Sequence, residues 1–310
     1  MVCVNRRDYP GTTLYTPAEL NAIRDGNEHG SFFVARGVEL AAFLDGLIDA
    51  LSLPGHTSDG KEGGLALMGW SMGNMFTLST IASVSSLQPQ TRTRLQLYLR
   101  KFIMFGEIAV ELTDLGDIDP MVDPPSQALG ISGASAPPVD RKRPQQEVLS
   151  EAAQWLSSYF IHGDLSTRDV RNIEFMTPDL SKQSVIGTLP PEELSTLTDY
   201  EAVARSDTLL FMSPTVLFNQ MYKALFDPET RSLWPKLDFW LLYCDSSAGM
   251  MVHAAWEIEK LAQINKDQPV QILTIEDAHH IVSELSLTGT GDTYLRAGVL
   301  GRARESFGCI

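Results

Sequence analysis

One segment constrains the fold more than any other: an unbroken apolar run that leads through a glycine-rich turn into a helical pattern. The run is Leu65-Ala66-Leu67-Met68, and its lack of polar alternation is typical of a strand buried on both faces. The turn Gly69-Trp70-Ser71-Met72-Gly73 follows, and helical spacing continues from residue 74 to about residue 87. A strand that enters a helix through a tight turn is a building unit of parallel sheets.

Similar patterns occur before and after this segment. Further apolar runs predict strands at residues 2–4, 101–105, 237–244 and 270–275. Apolar residues at helical spacing predict one helix at 40–51 and another at about 254–261. We therefore predict the α/β class, with a mostly parallel sheet flanked by helices.

The middle of the chain has a different composition. Residues 114–145 are rich in Pro, Gly, Asp and Ser, which predicts a loop. Helical spacing returns at 149–160 and at 217–225, with no convincing strand in between. The chain is therefore predicted to form a sheet core in two parts with a helical cap inserted between them, at residues 1–106, 234–310 and 107–233.

The turn around Ser71 matches the G-x-S-x-G nucleophile elbow, and it lies between a predicted strand and a predicted helix. Such a turn holds its serine in a strained conformation and projects the hydroxyl group above the sheet. The helix that follows places backbone N–H groups beside the serine, and we expect the N–H of Met72 to stabilise an oxyanion.

A serine nucleophile needs a base and an acid that orients the base. Asp245 follows one predicted strand and the pair His279-His280 follows the next, so the order along the chain is serine, acid, histidine. Because the carboxyl ends of parallel strands share one edge of a sheet, we expect these groups to converge on Ser71. Glu107 also closes a strand and is an alternative acid.

The first loop carries a family resemblance. It reads Asn5-Arg6-Arg7-Asp8-Tyr9-Pro10-Gly11-Thr12. Arg7 and Thr12 match the D-x-R-G-x-G-x-S turn that α/β-hydrolases carry after their fourth strand. Other positions of the loop depart from that turn, at Asn5, Asp8 and Pro10. With the elbow, this loop makes the chain resemble the α/β-hydrolases, above all uncharacterised fungal members of that superfamily.

The resemblance implies a role for each candidate. His280 is the expected base, because Ala278-His279-His280 stands where Ala-Asn-His is usual, and His279 is the reserve choice. Asp245 occupies the usual place of the acid, and some members take their acid from the position of Glu107. Family members also carry strands and a second oxyanion donor before the first loop, so the resemblance implies that N-terminal strands are missing. Loss of one oxyanion donor lowers a rate on the order of 100-fold to 1000-fold.

Two hypotheses for function follow. The first is a serine hydrolase that acts on a carboxylic ester, a thioester or a lactone, and takes no cofactor. Its small-molecule substrate is expected to have an apolar part, because the predicted cap contains large apolar residues, namely Phe160, Phe211, Met212, Phe218, Met221 and Tyr222. The alternative is a weak or inactive α/β-hydrolase-like protein that binds an apolar ligand or a partner.

Composition excludes several other classes. The formal net charge of −15 and the absence of a long basic run argue against a nucleic-acid partner. Cys3, Cys244 and Cys309 have neither disulfide-type nor metal-type spacing, which indicates a reducing compartment and no metal site. No apolar run approaches the roughly 20 residues of a membrane helix, and no secretory signal is visible, so we expect a cytoplasmic location.

Overall fold

The structure, a computed structural model, describes residues 1–25, 29–57, 62–106, 145–184, 186–190, 199–210, 214–281, 285–288 and 294–297. Its centre is a sheet of four parallel strands, β1 (Leu65–Trp70), β2 (Leu99–Phe105), β3 (Asp238–Cys244) and β4 (Gln271–Ile275). These strands lie side by side in the order β1-β2-β3-β4. A separate antiparallel pair consists of β5 (Leu285–Thr288) and β6 (Tyr294–Ala297).

The helices account for most of the remaining regular structure. In chain order they are α1 (Pro17–Arg24), α2 (His29–Ala50), α3 (Gly73–Ala82), α4 (Pro89–Tyr98), α5 (Gln145–Leu156), α6 (Tyr200–Ala202), α7 (Thr208–Leu210), α8 (Pro214–Leu225), α9 (Pro228–Ser232) and α10 (Gly249–Ile264). A π-helical turn, Val203–Asp207, connects α6 to α7. Parallel strands with flanking helices confirm the predicted α/β class.

The main core lies between one face of the sheet and helices α2, α3, α8 and α10. Alternate strand residues such as Leu67, Phe102 and Leu241 are buried there. They pack with helix residues such as Ile48 and Met221. Burial of each such side chain contributes about 1.5–3 kcal/mol to stability, so this face holds the sheet and helices together.

The opposite face of the sheet forms a smaller apolar cluster. It contains Ile103 and Phe105 of β2, Leu242 and Cys244 of β3, and Ile275 of β4. Successive side chains of a strand point to opposite faces, which explains why both faces of the central strands are apolar. The unbroken apolar runs of β2 and β3 therefore reflect burial on both sides. The prediction that β1 is buried on both faces is wrong, because Met68 and Trp70 on one of its faces are exposed.

The strand predicted at residues 2–4 is wrong. Residues 1–6 form no regular structure, and Val2 and Val4 are about half exposed. A short apolar run becomes a strand only where a neighbouring strand accepts its backbone hydrogen bonds, and none in the described part of the chain does so here. The sequence analysis also missed α1 and α4, both of which begin at a proline.

The region predicted as a cap is only partly described. Between residues 145 and 233 the described segments are helical or irregular, without a strand. Several of their apolar residues, Ile173, Met221, Ala224, Leu225 and Phe226, belong to the main core. The division of the chain into a core and a separate cap stays a prediction.

Candidate functional site

Ser71 occupies a strained turn between β1 and α3. Its φ angle is +50°, a left-handed conformation that non-glycine residues rarely adopt. The Ser71 N–H donates to the carbonyl of Phe105 at the end of β2 (2.9 Å), and the Ser71 carbonyl accepts from the Asn74 N–H (2.9 Å). The turn that the sequence predicted is therefore present and is fixed to the neighbouring strand.

Gly69 allows β1 and α3 to approach each other closely. A Cβ atom at this position would lie 2.5 Å from Asn74 Oδ1 and 2.8 Å from Asn74 Cα. Asn74 is fully buried, and its side-chain amide donates to the same Phe105 carbonyl that Ser71 contacts (3.2 Å). Glycine at position 69 thus lets the first turn of α3 pack directly against the end of the sheet.

Met72 is the N-cap residue of α3, and its own side chain makes no capping hydrogen bond. The first N–H groups of a helix have no partner within the helix. Among the described residues, the Met72 N–H makes no backbone hydrogen bond. Met72 therefore presents a free donor beside Ser71, at the positive end of the helix dipole.

His280 is buried next to this turn. Its ring lies 5.8 Å from the Trp70 ring between centroids, and the Trp70 indole N–H donates to the His280 carbonyl (3.0 Å). The ring also packs on Gly106, where a Cβ would lie 2.7 Å from His280 Nδ1. Gly106 directly follows Phe105, whose carbonyl accepts the Ser71 N–H. The His280 ring therefore packs on the neighbour of the residue that binds the Ser71 backbone.

Burial makes His280 a neutral imidazole at physiological pH. It lowers the pKa of His280 to about 4, with a smaller contribution from the charge of His279. Desolvation disfavours the charged ring. A neutral ring has one unprotonated nitrogen, which is what a general base requires.

Within the described residues, Asp245 makes no hydrogen bond or ion pair with this ring. Its carboxylate accepts from Ser246 Oγ (3.1 Å). Burial raises the pKa of Asp245. Within the described ranges, Nδ1 of His280 has no hydrogen-bond partner. The predicted acid and base thus lie at the ends of adjacent strands without being joined.

The other predicted site residues are placed as follows. His279 is buried edge-on against Tyr159 at 4.4 Å between centroids, and its Nδ1 accepts from the Ile281 N–H (3.1 Å). Burial, followed by the charge of Lys182, lowers the pKa of His279 to about 4. Glu107, the alternative acid, lies outside the described residues.

The apolar residues expected to contact a substrate are mostly used in packing. Phe160 is buried against Trp155, and Met221 is buried in the main core. Phe218 is half-buried, and Tyr222 is 38% exposed. Phe211 and Met212 lie outside the described residues.

The sequence analysis missed a cluster of charged side chains beside the elbow. The Arg6 guanidinium donates to both carboxylate oxygens of Asp207 (2.7 and 2.6 Å), and Tyr9 Oη donates to one of them (2.5 Å). Arg6 also donates to the Met72 sulfur (2.9 Å). The two charged partners are 201 positions apart, and no local pattern marks Asp207, so only the structure could bring them together.

Comparisons with known proteins do not narrow the class further. No family model matches the chain, and no curated protein matches it. The parallel sheet and its helices define a protein of the α/β class. No helix in the described ranges is long and apolar enough to cross a membrane. The same ranges contain no group of three or more His, Cys, Asp or Glu residues that could hold a metal ion.

Proposed function

We propose that this protein is a serine hydrolase of the α/β-hydrolase type, with Ser71 as nucleophile and His280 as base. The observation that carries the proposal is the pairing of two features at one edge of the sheet. Ser71 has the strained backbone of a nucleophile elbow, and its N–H donates to the carbonyl of Phe105. A buried, neutral His280 packs on Gly106, the residue that follows Phe105. Strained serines and buried histidines of lowered pKa are both enriched at catalytic sites.

The proposed reaction is acyl transfer to water. Ser71 Oγ attacks the substrate carbonyl carbon while His280 takes the hydroxyl proton, and the Met72 N–H donates to the oxyanion that forms. The intermediate collapses, the bond to the leaving group breaks, and His280 returns its proton to that group. Water, activated by His280, then releases the acid and regenerates Ser71. A carboxylic ester, a thioester or a lactone with an apolar part is the proposed substrate.

The acid that orients His280 has two candidates. Asp245 is the first, because it directly follows β3, the strand that pairs with the strand leading to His280. Glu107 is the second, because it directly follows Gly106, which touches His280 Nδ1. Comparing Asp245→Asn with Glu107→Gln separates them: the variant at the true acid loses activity by about 10⁴-fold, while the other retains most of it.

The experiment that tests the proposal is covalent labelling with a fluorophosphonate. Ser71 Oγ attacks the phosphorus, fluoride leaves, and a stable phosphonyl ester forms only on an activated serine. We expect labelling of the wild-type chain and its loss in Ser71→Ala and His280→Ala. Ser86→Ala, which alters an exposed serine just after α3, is the matched control and should label normally. An unlabelled, folded wild-type chain would refute the proposal.

A second function is favoured by one observation. His280 Nδ1 finds no acid among the described residues, and an incomplete triad suits a protein that binds an apolar ligand or a partner without turning it over. In that case wild-type protein and Ser71→Ala would bind a fluorescent fatty acid with equal affinity, and neither would hydrolyse its nitrophenyl ester. Faster hydrolysis by the wild type alone would exclude this alternative.

A further inference from the structure

Two ion pairs connect the first loop to the π-helical turn at Val203–Asp207. In one, Arg6 of the loop binds Asp207 of the turn. In the other the charges are reversed: Arg205 of the turn binds Asp8 of the loop (2.6 Å) and also donates to the Tyr15 carbonyl (2.6 Å). Both carboxylates are buried, so each pair is shielded from solvent and holds the same two segments together.

Only the first of these pairs reaches the elbow. Arg6 donates to the Met72 sulfur, and its guanidinium carbon lies 5.5 Å from the centre of the Phe76 ring, one turn further along α3. Asp207 and Tyr9 fix the guanidinium from the other side. Among the described residues, Arg205 makes no hydrogen bond or ion pair with α3; its partners are Asp8 and Tyr15.

The elbow needs support of this kind. The positive φ of Ser71 is strained and persists only where the surroundings over-determine the turn. On the β2 side, the bonds of Ser71 and Asn74 to Phe105 provide it. At its N-cap residue, α3 has no side-chain cap, and the contact of Arg6 with the Met72 side chain is a second polar contact at the start of the helix.

We infer that Arg6 is a positioning residue for the Ser71–Met72 turn, and that it acts through the Met72 side chain while Asp207 and Tyr9 hold it in place. The inference concerns the backbone of the turn. Its catalytic consequence, a correctly aimed Met72 N–H, rests on the proposed function.

Amide hydrogen exchange of peptides covering residues 68–78 tests the inference without any need for activity. We expect Arg6→Gln to speed exchange in this segment by about tenfold, because the first turn of α3 opens more often. The matched control is Arg205→Gln, which breaks the equivalent ion pair that does not touch α3. Equal exchange in the two variants would overturn the inference, because Arg6 would then act only by joining the loop to the turn.

A second measurement uses the coupling between Arg6 and Met72. Met72→Leu keeps the apolar volume but removes the sulfur acceptor. If Arg6 acts through Met72, Arg6→Gln should add little to the exchange rate of Met72→Leu. Fully additive effects would contradict this route. If Arg6→Gln does not fold, Arg6→Lys replaces it in both measurements. Lysine keeps the positive charge but cannot form the bidentate contact with Asp207.

The labelling rate separates this inference from the proposed function. In a wild-type chain that labels at Ser71, Arg6→Gln should lower the labelling rate by on the order of 10-fold to 100-fold, while Arg205→Gln changes it little. A wild-type chain that does not label refutes the hydrolase, and the exchange comparison then still decides whether Arg6 positions the turn.

Discussion

At the scale of single residues, the contact between Gly106 and His280 defines the candidate site. Gly106 has a φ angle of +55°, and its N–H donates to the Leu242 carbonyl (3.0 Å), so its backbone is fixed between β1 and β3. The His280 ring occupies the space that any other side chain at position 106 would need. The position of the His280 ring therefore depends on the absence of a Cβ atom at position 106.

We predict that Gly106→Ala displaces His280 and abolishes labelling of Ser71. The new Cβ would lie 2.7 Å from Nδ1, and the positive φ adds strain of about 1 kcal/mol or more. Gly63→Ala is the control, because it combines a positive φ with a backbone clash far from His280. It should lower the melting temperature in a similar way but leave labelling intact. Normal labelling of folded Gly106→Ala would count against His280 as the base.

The lowered pKa of His280 predicts a pH dependence. The neutral ring is the proposed base, so the labelling rate should be constant near neutrality and fall by half near pH 4. In the unfolded chain the pKa of His280 is near 6.5, so the unfolded state binds a proton more readily than the folded state below that pH. The contribution of the neutral His280 ring to the free energy of unfolding is therefore complete above pH 6.5 and is lost as the pH falls towards 4. His253→Gln, on α10, should leave the rate profile unchanged. A midpoint at or above pH 6.5 would contradict the buried position.

At the scale of elements, α3 is notable because it is almost wholly buried and yet rich in polar residues. Ser79 and Thr80 donate to backbone carbonyls one turn earlier in the same helix (2.5 and 3.1 Å). Asn74 differs, because its amide bonds to β2 and so ties the start of the helix to the sheet. The hydroxyl groups are satisfied locally, whereas Asn74 joins two elements.

We predict that Asn74→Ala destabilises the protein by about 1–3 kcal/mol, because a buried hydrogen bond between α3 and β2 is lost. Thr80→Ala, which removes a buried hydroxyl that bonds only within its own helix, should cost less. Chemical denaturation of both variants measures the difference. We also expect slower labelling of Ser71 in Asn74→Ala, since the same Phe105 carbonyl holds the serine. Equal stability of the two variants would show that this amide does not anchor the helix.

At the scale of the whole molecule, the middle of the chain is attached to the sheet by backbone contacts. The Phe160 N–H donates to the Ser246 carbonyl (2.9 Å), in the loop after β3. His162 lies next to this contact: its Nε2 donates to the Ser247 carbonyl (2.9 Å), and its Nδ1 accepts from the Glu174 N–H (2.9 Å). Both ring nitrogens are used, which requires the neutral ring, and burial lowers the pKa of His162 accordingly.

We predict that His162→Ala loosens residues 159–176 without abolishing the sheet. Two hydrogen bonds to backbone groups are lost, which should cost on the order of 1–3 kcal/mol. His162→Gln is the conservative control, because its amide can donate at one atom and accept at another, and it should restore part of the stability. Amide exchange that is faster than in the wild type only at residues 159–176 would confirm the prediction. Exchange that becomes faster evenly across the chain would contradict it.

The sequence predicts the strands of the sheet well, but it predicts poorly which strands find a neighbour and which side chains meet at the site. Apolar runs predict all four strands, although only β2 and β3 are largely buried on both faces. Residues 2–4 show the limit of that signal, since a run of the same character without a neighbour stays irregular. At the site, the turn at Ser71 follows from local pattern. The separation of Asp245 from His280 does not, because it depends on which side-chain conformation the surrounding loops favour.

The amino-acid sequence by itself determines the parallel strands, the helix behind the elbow and the strained serine between them. These features follow from spacing over a few residues, and neighbouring residues encode such spacing directly. Only the tertiary structure decides that His280 packs on Gly106 and that Arg6 bridges Asp207 and Met72. Those contacts join positions far apart along the chain, and the path of the chain, rather than any local preference, brings them together.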